Sequence, residues 1–148
     1  DVSYLLRWLS AIDFAAWPQQ DRLADGQVRP AMVSDPNWHV MALITEILVQ
    51  DCLSRFPRDH IARERMLSAV MPGHSIPPHV DRQNERWVTR IHVPLLTNDR
   101  AFFELDGLPY MLEAGRAYKV DTRRMHAVSN DGATPRVHFM FDIWVGAA

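Results

Sequence analysis

Apolar residues recur along this chain with two different periods, and the change falls near residue 61. Before it, the spacing is helical. Residues 2–17 place Leu5, Trp8, Leu9, Ile12 and Ala16 on one helical face, and Pro18 ends the run. A polar stretch, "PQQDRLADGQVRP", reads as a loop. A second helix follows, with Asp35 as its cap and Pro36 in its first turn. Its apolar stripe is Val40, Leu43, Ile44, Ile47, Leu48 and Cys52 or Leu53, and Pro57 closes it.

Beyond residue 61 the period is two. "ERMLSAVM" is strand-like, and "WVTRIHVPLL" alternates, with Thr89, Ile91, Val93 and Leu95 opposite Arg90 and His92. "RAFFEL", "PYMLE", "RAYKV" and "MHAVS" are short strands. "RVHFMFDIWV" sets Val137, Phe139, Phe141 and Ile143 against Arg136, His138, Met140, Asp142 and Trp144. Turn signals separate these strands at Asn98-Asp99, Asp106-Gly107, Ala114-Gly115 and Asn130-Asp131-Gly132. About seven strands with tight turns predict a mainly β fold, a small antiparallel barrel or two-sheet jelly roll with the N-terminal helices on one outer face. We expect a single domain, with residues 1–60 as helical support and 61–148 as the barrel core.

Composition narrows the function. The chain has 148 residues, 47% hydrophobic and 23% charged, with a net charge of -2. That is an ordinary globular composition, and it argues against bulk nucleic-acid or anionic-membrane binding. The lone Cys52 cannot form an internal disulfide, and no apolar run approaches the roughly 20 residues of a membrane span. A cytoplasmic location is expected; oligomeric state is not legible.

The candidate chemistry lies in "PGHSIPPHVDR". His79 and Asp81 are two apart, and in a strand such residues share a face. A bare His-x-Asp is common, so further ligands must come from elsewhere in the chain. His126, one of seven histidines, lies in a later strand. Two histidines and a carboxylate on one side of a metal form the facial triad of non-haem Fe(II) oxygenases. Structural zinc favours four closed ligands, usually with several cysteines, and this chain has only Cys52. Arg136 lies ten residues after His126, and its planar fork suits bidentate capture of a carboxylate. Arg90 and His92 share a face that a half-buried sheet commonly turns to water. Arg82, Trp87 and Arg123 flank the metal motifs and are candidate substrate contacts, or else part of a solvated loop.

The segments "SAVMPGHSIPPHVD", "TRIHVPL" and "MHAVSNDGATPRVHFMFDIW" resemble the aspartyl/asparaginyl β-hydroxylase family of Fe(II)- and 2-oxoglutarate-dependent oxygenases, and also bacterial free-proline hydroxylases. The resemblance covers residues 66–144. It implies a double-stranded β-helix (a cupin-like jelly roll), with His79 and His126 as iron ligands. It assigns Arg136 and Ser68 to the distal carboxylate of the cosubstrate 2-oxoglutarate, and Arg90 and His92 to its inner end. Asp81 is a departure. The animal members lack a carboxylate at that position, whereas other 2-oxoglutarate oxygenases have one. The implied activity is hydroxylation of an amino acid or amino-acid-like small molecule by O2. A cupin-like metal protein without redox turnover, an isomerase or sugar-binding module, is the other reading; it requires neither Arg136 nor Ser68.

Overall fold

The computed structural model describes residues 38–81 and 84–146. The expected first helix, the Asp35 cap and Arg82 lie outside them. Helix α1 (Trp38–Leu53) is followed by eight strands: β1 (His60–Val70), β2 (His74–His79), β3 (Trp87–Leu96), β4 (Ala101–Leu105), β5 (Leu108–Tyr110), β6 (Tyr118–Val120), β7 (His126–Asn130) and β8 (Arg136–Val145). They form two four-stranded antiparallel sheets, ordered β1-β8-β3-β6 and β2-β7-β4-β5. This is the expected mainly β jelly roll, a double-stranded β-helix. No helix among the described residues is long and apolar enough to cross a membrane.

The strands β3 and β8 have the bounds that their alternation predicts. The two-residue hairpin between β4 and β5 fits its sequence as well: Asp106 and Gly107 both take positive φ, 51° and 79°, as a primed turn requires. The strand with no place in the expected list is β2. Its "HSIPPH" contains two prolines, which cannot donate to a ladder and read as non-strand.

Helix α1 packs on the first sheet by Cys52 and Leu53 of the expected stripe, but not by its earlier members Leu43 and Ile47. Leu43 and Ile47 are 67% and 70% exposed, whereas Val49 is fully buried and Cys52 and Leu53 are partly buried against the sheet. The contact face is therefore rotated from the predicted one, since Val49 rather than Ile47 meets the strands. Across from it, Leu67, Ala69, Ile91, Val93, Leu95, Val137, Phe139, Phe141 and Ile143 make one core layer. A second apolar cluster, Val70, Ile76, Phe103, Val120 and Val128, lies between the two sheets.

Both faces of β8 are thus buried. The odd-numbered apolar residues point outward beneath the helix. The even-numbered residues, Arg136, His138, Met140 and Asp142, point into the barrel and are all buried. The polar faces of β3 and β8 are lining rather than surface.

Two bulges set which residues join that lining. In β1 the register runs from Arg63↔Asp142 to Met66↔Met140, three steps against two, with Glu64 at φ 53°. The extra residue reverses parity, so Ala62 and Leu67 both face the helix side and Ser68 faces inward. In β2 the register runs from Ile76↔Val128 to His79↔His126, again three against two, across Pro77-Pro78. That bulge brings His79 onto the interior face opposite His126.

Phe141 is fully buried in the central strand and packs against Phe139 with ring centroids 5.7 Å apart. Phe141→Ala should lower stability by about 3–5 kcal/mol, read as a shift in the urea unfolding midpoint at unchanged slope.

Candidate metal centre

His79 ends β2 and His126 begins β7. Their backbones are paired, and their ring centroids lie 4.2 Å apart. Each Nδ1 faces a main-chain carbonyl two residues earlier: His79 that of Pro77 at 2.8 Å, His126 that of Arg124 at 2.9 Å. A carbonyl only accepts, so Nδ1 carries the proton and Nε2 presents a lone pair. This is the usual arrangement of metal-ligating histidines.

Asp81 lies just past the end of β2, held by its N–H donating to the Thr122 carbonyl at 2.8 Å. Its carboxylate stands 3.8 Å from Nε2 of each histidine, Oδ1 toward His79 and Oδ2 toward His126. The three potential ligand atoms lie within 4.8 Å of one another, a set that can hold a metal ion. His126 is 5% exposed and the other two are half-buried, so one side of the set is open. Burial lowers the pKa of His126, which favours the neutral, ligating form.

The barrel wall beside this set carries the other expected residues. His138 lies opposite Ser68 on β1, and His92 lies opposite Met140. Arg136 is 3% exposed and donates from Nη2 to His138 Nδ1 at 2.8 Å. Among the described residues it has no carboxylate partner. Burial lowers its pKa to about 9, which leaves it charged at neutral pH. Ser68 Oγ and His92 Nε2 are buried without a hydrogen-bond partner. A buried cation beside unsatisfied polar groups is costly unless an anion meets it. A small carboxylate ligand fits this chemistry.

Arg90, expected near the cosubstrate's inner end, is engaged by two carboxylates. Its Nε and Nη2 donate to the two oxygens of Asp142 at 2.7 and 2.9 Å, and Nη1 donates to Asp81 Oδ2 at 2.9 Å. Burial opposes its charge, but these carboxylates outweigh burial and raise its pKa. Two of the substrate candidates, Trp87 and Arg123, meet each other. Trp87 is 3% exposed and lies under the Arg123 guanidinium at 5.2 Å, and Arg123 itself pairs with Asp121 at 2.7 Å.

Three residues at the site were not singled out from the sequence. His138 links Arg136 to His92, whose Nδ1 is 3.2 Å from its own. Asp142 clamps Arg90. The Phe103 ring stacks on His126 at 5.8 Å and meets His92 edge-on at 5.4 Å. The available signal was parity, because His138 and Asp142 share the alternation of Arg136.

Burial, reinforced by the Arg136 charge, holds the His92 and His138 imidazoles well below the usual value of 6.5. Both stay neutral in the folded protein, while the unfolded chain takes up protons as pH falls through about 6.5. Stability is therefore full above that pH and declines below it, by up to about 1.4 kcal/mol per pH unit for each histidine. Urea unfolding at pH 7.5 and 5.5 should show this loss, and His138→Gln should roughly halve it.

Residues 32–145 match the family described as Aspartyl/Asparaginyl beta-hydroxylase. No curated protein matches the chain. Several solved structures share its fold. An oxidoreductase of the 2OG-Fe(II) oxygenase family from Burkholderia pseudomallei is 15% identical with TM-score 0.58, covering 76% of this chain and 60% of its own. A Pseudomonas putida prolyl-4-hydroxylase is 14% identical with TM-score 0.56, covering 99% of this chain and 86% of its own. A viral collagen prolyl hydroxylase from Paramecium Bursaria Chlorella virus-1 is 13% identical with TM-score 0.55, covering 79% and 76%. At such identities the likeness is one of fold, and it agrees with the two-sheet barrel. With the family match spanning well over half of its length, the chain belongs to the aspartyl/asparaginyl β-hydroxylase family.

Proposed function

We propose that this protein is an Fe(II)- and 2-oxoglutarate-dependent dioxygenase that hydroxylates an amino acid or amino-acid-like small molecule. His79, Asp81 and His126 would hold the iron. When bound, iron with 2-oxoglutarate and O2 supplies the chemistry that converts a substrate C–H to C–OH and releases succinate and CO2. The observation that carries the reading is Arg136, an interior cation without a carboxylate partner among the described residues, beside the unsatisfied Ser68 Oγ. A metal barrel without redox turnover does not require such a pair, whereas a dicarboxylate cosubstrate calls for one.

The remaining residues position and shield. His138 holds the Arg136 fork, and Phe103 stacks on His126 and excludes water from that side. The Nδ1–H bonds fix both imidazole rings with Nε2 inward. The family description names aspartyl and asparaginyl groups, and two of the similar structures are prolyl hydroxylases, which supports an amino-acid-like substrate.

Succinate release across a panel of free amino acids and short peptides tests the activity. Stimulation by at least one of them is expected, and His126→Ala should abolish it. A folded protein that shows no charge-transfer band with anaerobic Fe(II) and 2-oxoglutarate, and forms no succinate in air, would reject the reading. Arg136→Met should raise the KM for 2-oxoglutarate tenfold or more. In the absence of cosubstrate its thermal midpoint should stay at or above that of the parent, whereas breaking a buried ion pair costs about 3–5 kcal/mol.

A further inference from the structure

Asp142 is an interior acid to which the oxygenase reading gives no task. It is fully buried, lies directly opposite Arg90 in the β3–β8 ladder, and takes both its Nε and Nη2 in a fork-on-carboxylate pair. Such a pair fixes the plane of the guanidinium as well as its position. With that plane fixed, the remaining corner, Nη1, reaches Asp81 Oδ2 at 2.9 Å.

We propose that Asp142 and Arg90 are positioning residues for the metal centre, an Asp142–Arg90–Asp81 chain that sets the orientation of the metal's carboxylate ligand. This rests on His79, Asp81 and His126 being the metal ligands. The chain answers a need that the histidines do not have. Each imidazole is fixed by the main-chain carbonyl two residues before it, while Asp81 lies beyond β2, where no ladder sets its side chain. A carboxylate there can turn about two side-chain bonds, and a ligand that must be frozen on binding weakens binding. Asp142 has a second effect. It neutralises Arg90, whose charge would otherwise stand uncompensated beside a dication. With Nε, Nη1 and Nη2 all engaged, Arg90 also has no free side-on edge with which to grip a cosubstrate carboxylate.

The test is Co(II) titration of the chelator-stripped full chain, followed by its visible absorption bands. The isosteric Asp142→Asn should weaken Co(II) binding about 10–100-fold and alter the bands, while the KM for 2-oxoglutarate changes less than twofold. In an Asp81→Ala background the same change should have no further effect on Co(II), because the chain acts only through Asp81. Equal weakening in both backgrounds would mean a general structural role and would overturn the proposal. So would Co(II) affinity within twofold of the parent, or a raised KM for 2-oxoglutarate at unchanged Co(II) affinity. If Asp142→Asn does not fold by circular dichroism, Arg90→Lys is judged by the same outcomes, since an ammonium cannot fork onto Asp142 and reach Asp81 together. A parent chain that binds no Co(II) would remove the metal reading and this proposal together. Tight binding that is lost in Asp81→Ala but kept in Asp142→Asn would remove this proposal alone.

Discussion

A strand has two faces, and β8 must bury both. Its outward residues, Val137, Phe139, Phe141 and Ile143, anchor the core beneath α1, and its inward residues are Arg136, His138, Met140 and Asp142. The site depends on this division. The apolar face supplies the burial that holds the sheet together, at roughly 25 cal/mol per Å² removed from water. The opposite face is then free to carry charge in a low-dielectric interior, where a misplaced group is expensive. Ion pairs and hydrogen bonds that would be weak at a surface become strong constraints on that face. The Asp142–Arg90 fork and the Arg136–His138 contact are two of them.

The second constraint is register. A strand that gains one residue exchanges its faces. Without the bulge at Glu64, Ser68 would point under the helix, and without the extra residue at Pro77-Pro78, His79 would point away from His126. Each irregularity re-aims a polar side chain, Ser68 or His79, toward the barrel interior, and bulges in β proteins concentrate beside such sites. The prolines suit their position because they have no N–H to offer the ladder. The sequence feature that looks least like a strand is the one that turns His79 toward His126.

Much of the fold was legible because alternation is a local signal. The bounds of β3 and β8, the Asp106-Gly107 hairpin and the two-sheet class follow from periodicity and turn chemistry alone. Strand β2 was not legible, since its prolines mask the pattern. The helix face was legible only at Cys52 and Leu53, because one stripe of apolar residues is as good as its neighbour until the sheet is in place. Within the site, His79, Asp81, His126, Ser68 and Arg136 were named from spacing and resemblance, and the structure gathers them on one barrel interior. Asp142, His138 and the engagement of Arg90 were hidden for a physical reason. Alternation tells which residues share a face but not whether that face meets water; only the resemblance set Arg90, His92 and Arg136 at the site, and it says nothing of their neighbours His138 and Asp142.

That ambiguity bears on how such a site persists in a chain of this size. Arg136, Ser68 and His92 together lower the stability of the fold, since each places a polar group in the interior with too few partners. A sequence under pressure for stability alone would favour apolar residues of similar volume at these positions. Arg90 differs from them, because two carboxylates meet it and it is balanced without any ligand. The interior therefore holds two kinds of charge. One is internally compensated and serves to fix geometry. The other meets no carboxylate among the described residues and has the chemistry to take an anionic ligand. A cation that holds a ligand reversibly cannot also be satisfied by the protein, so the partnering of each interior arginine separates scaffold from binding group.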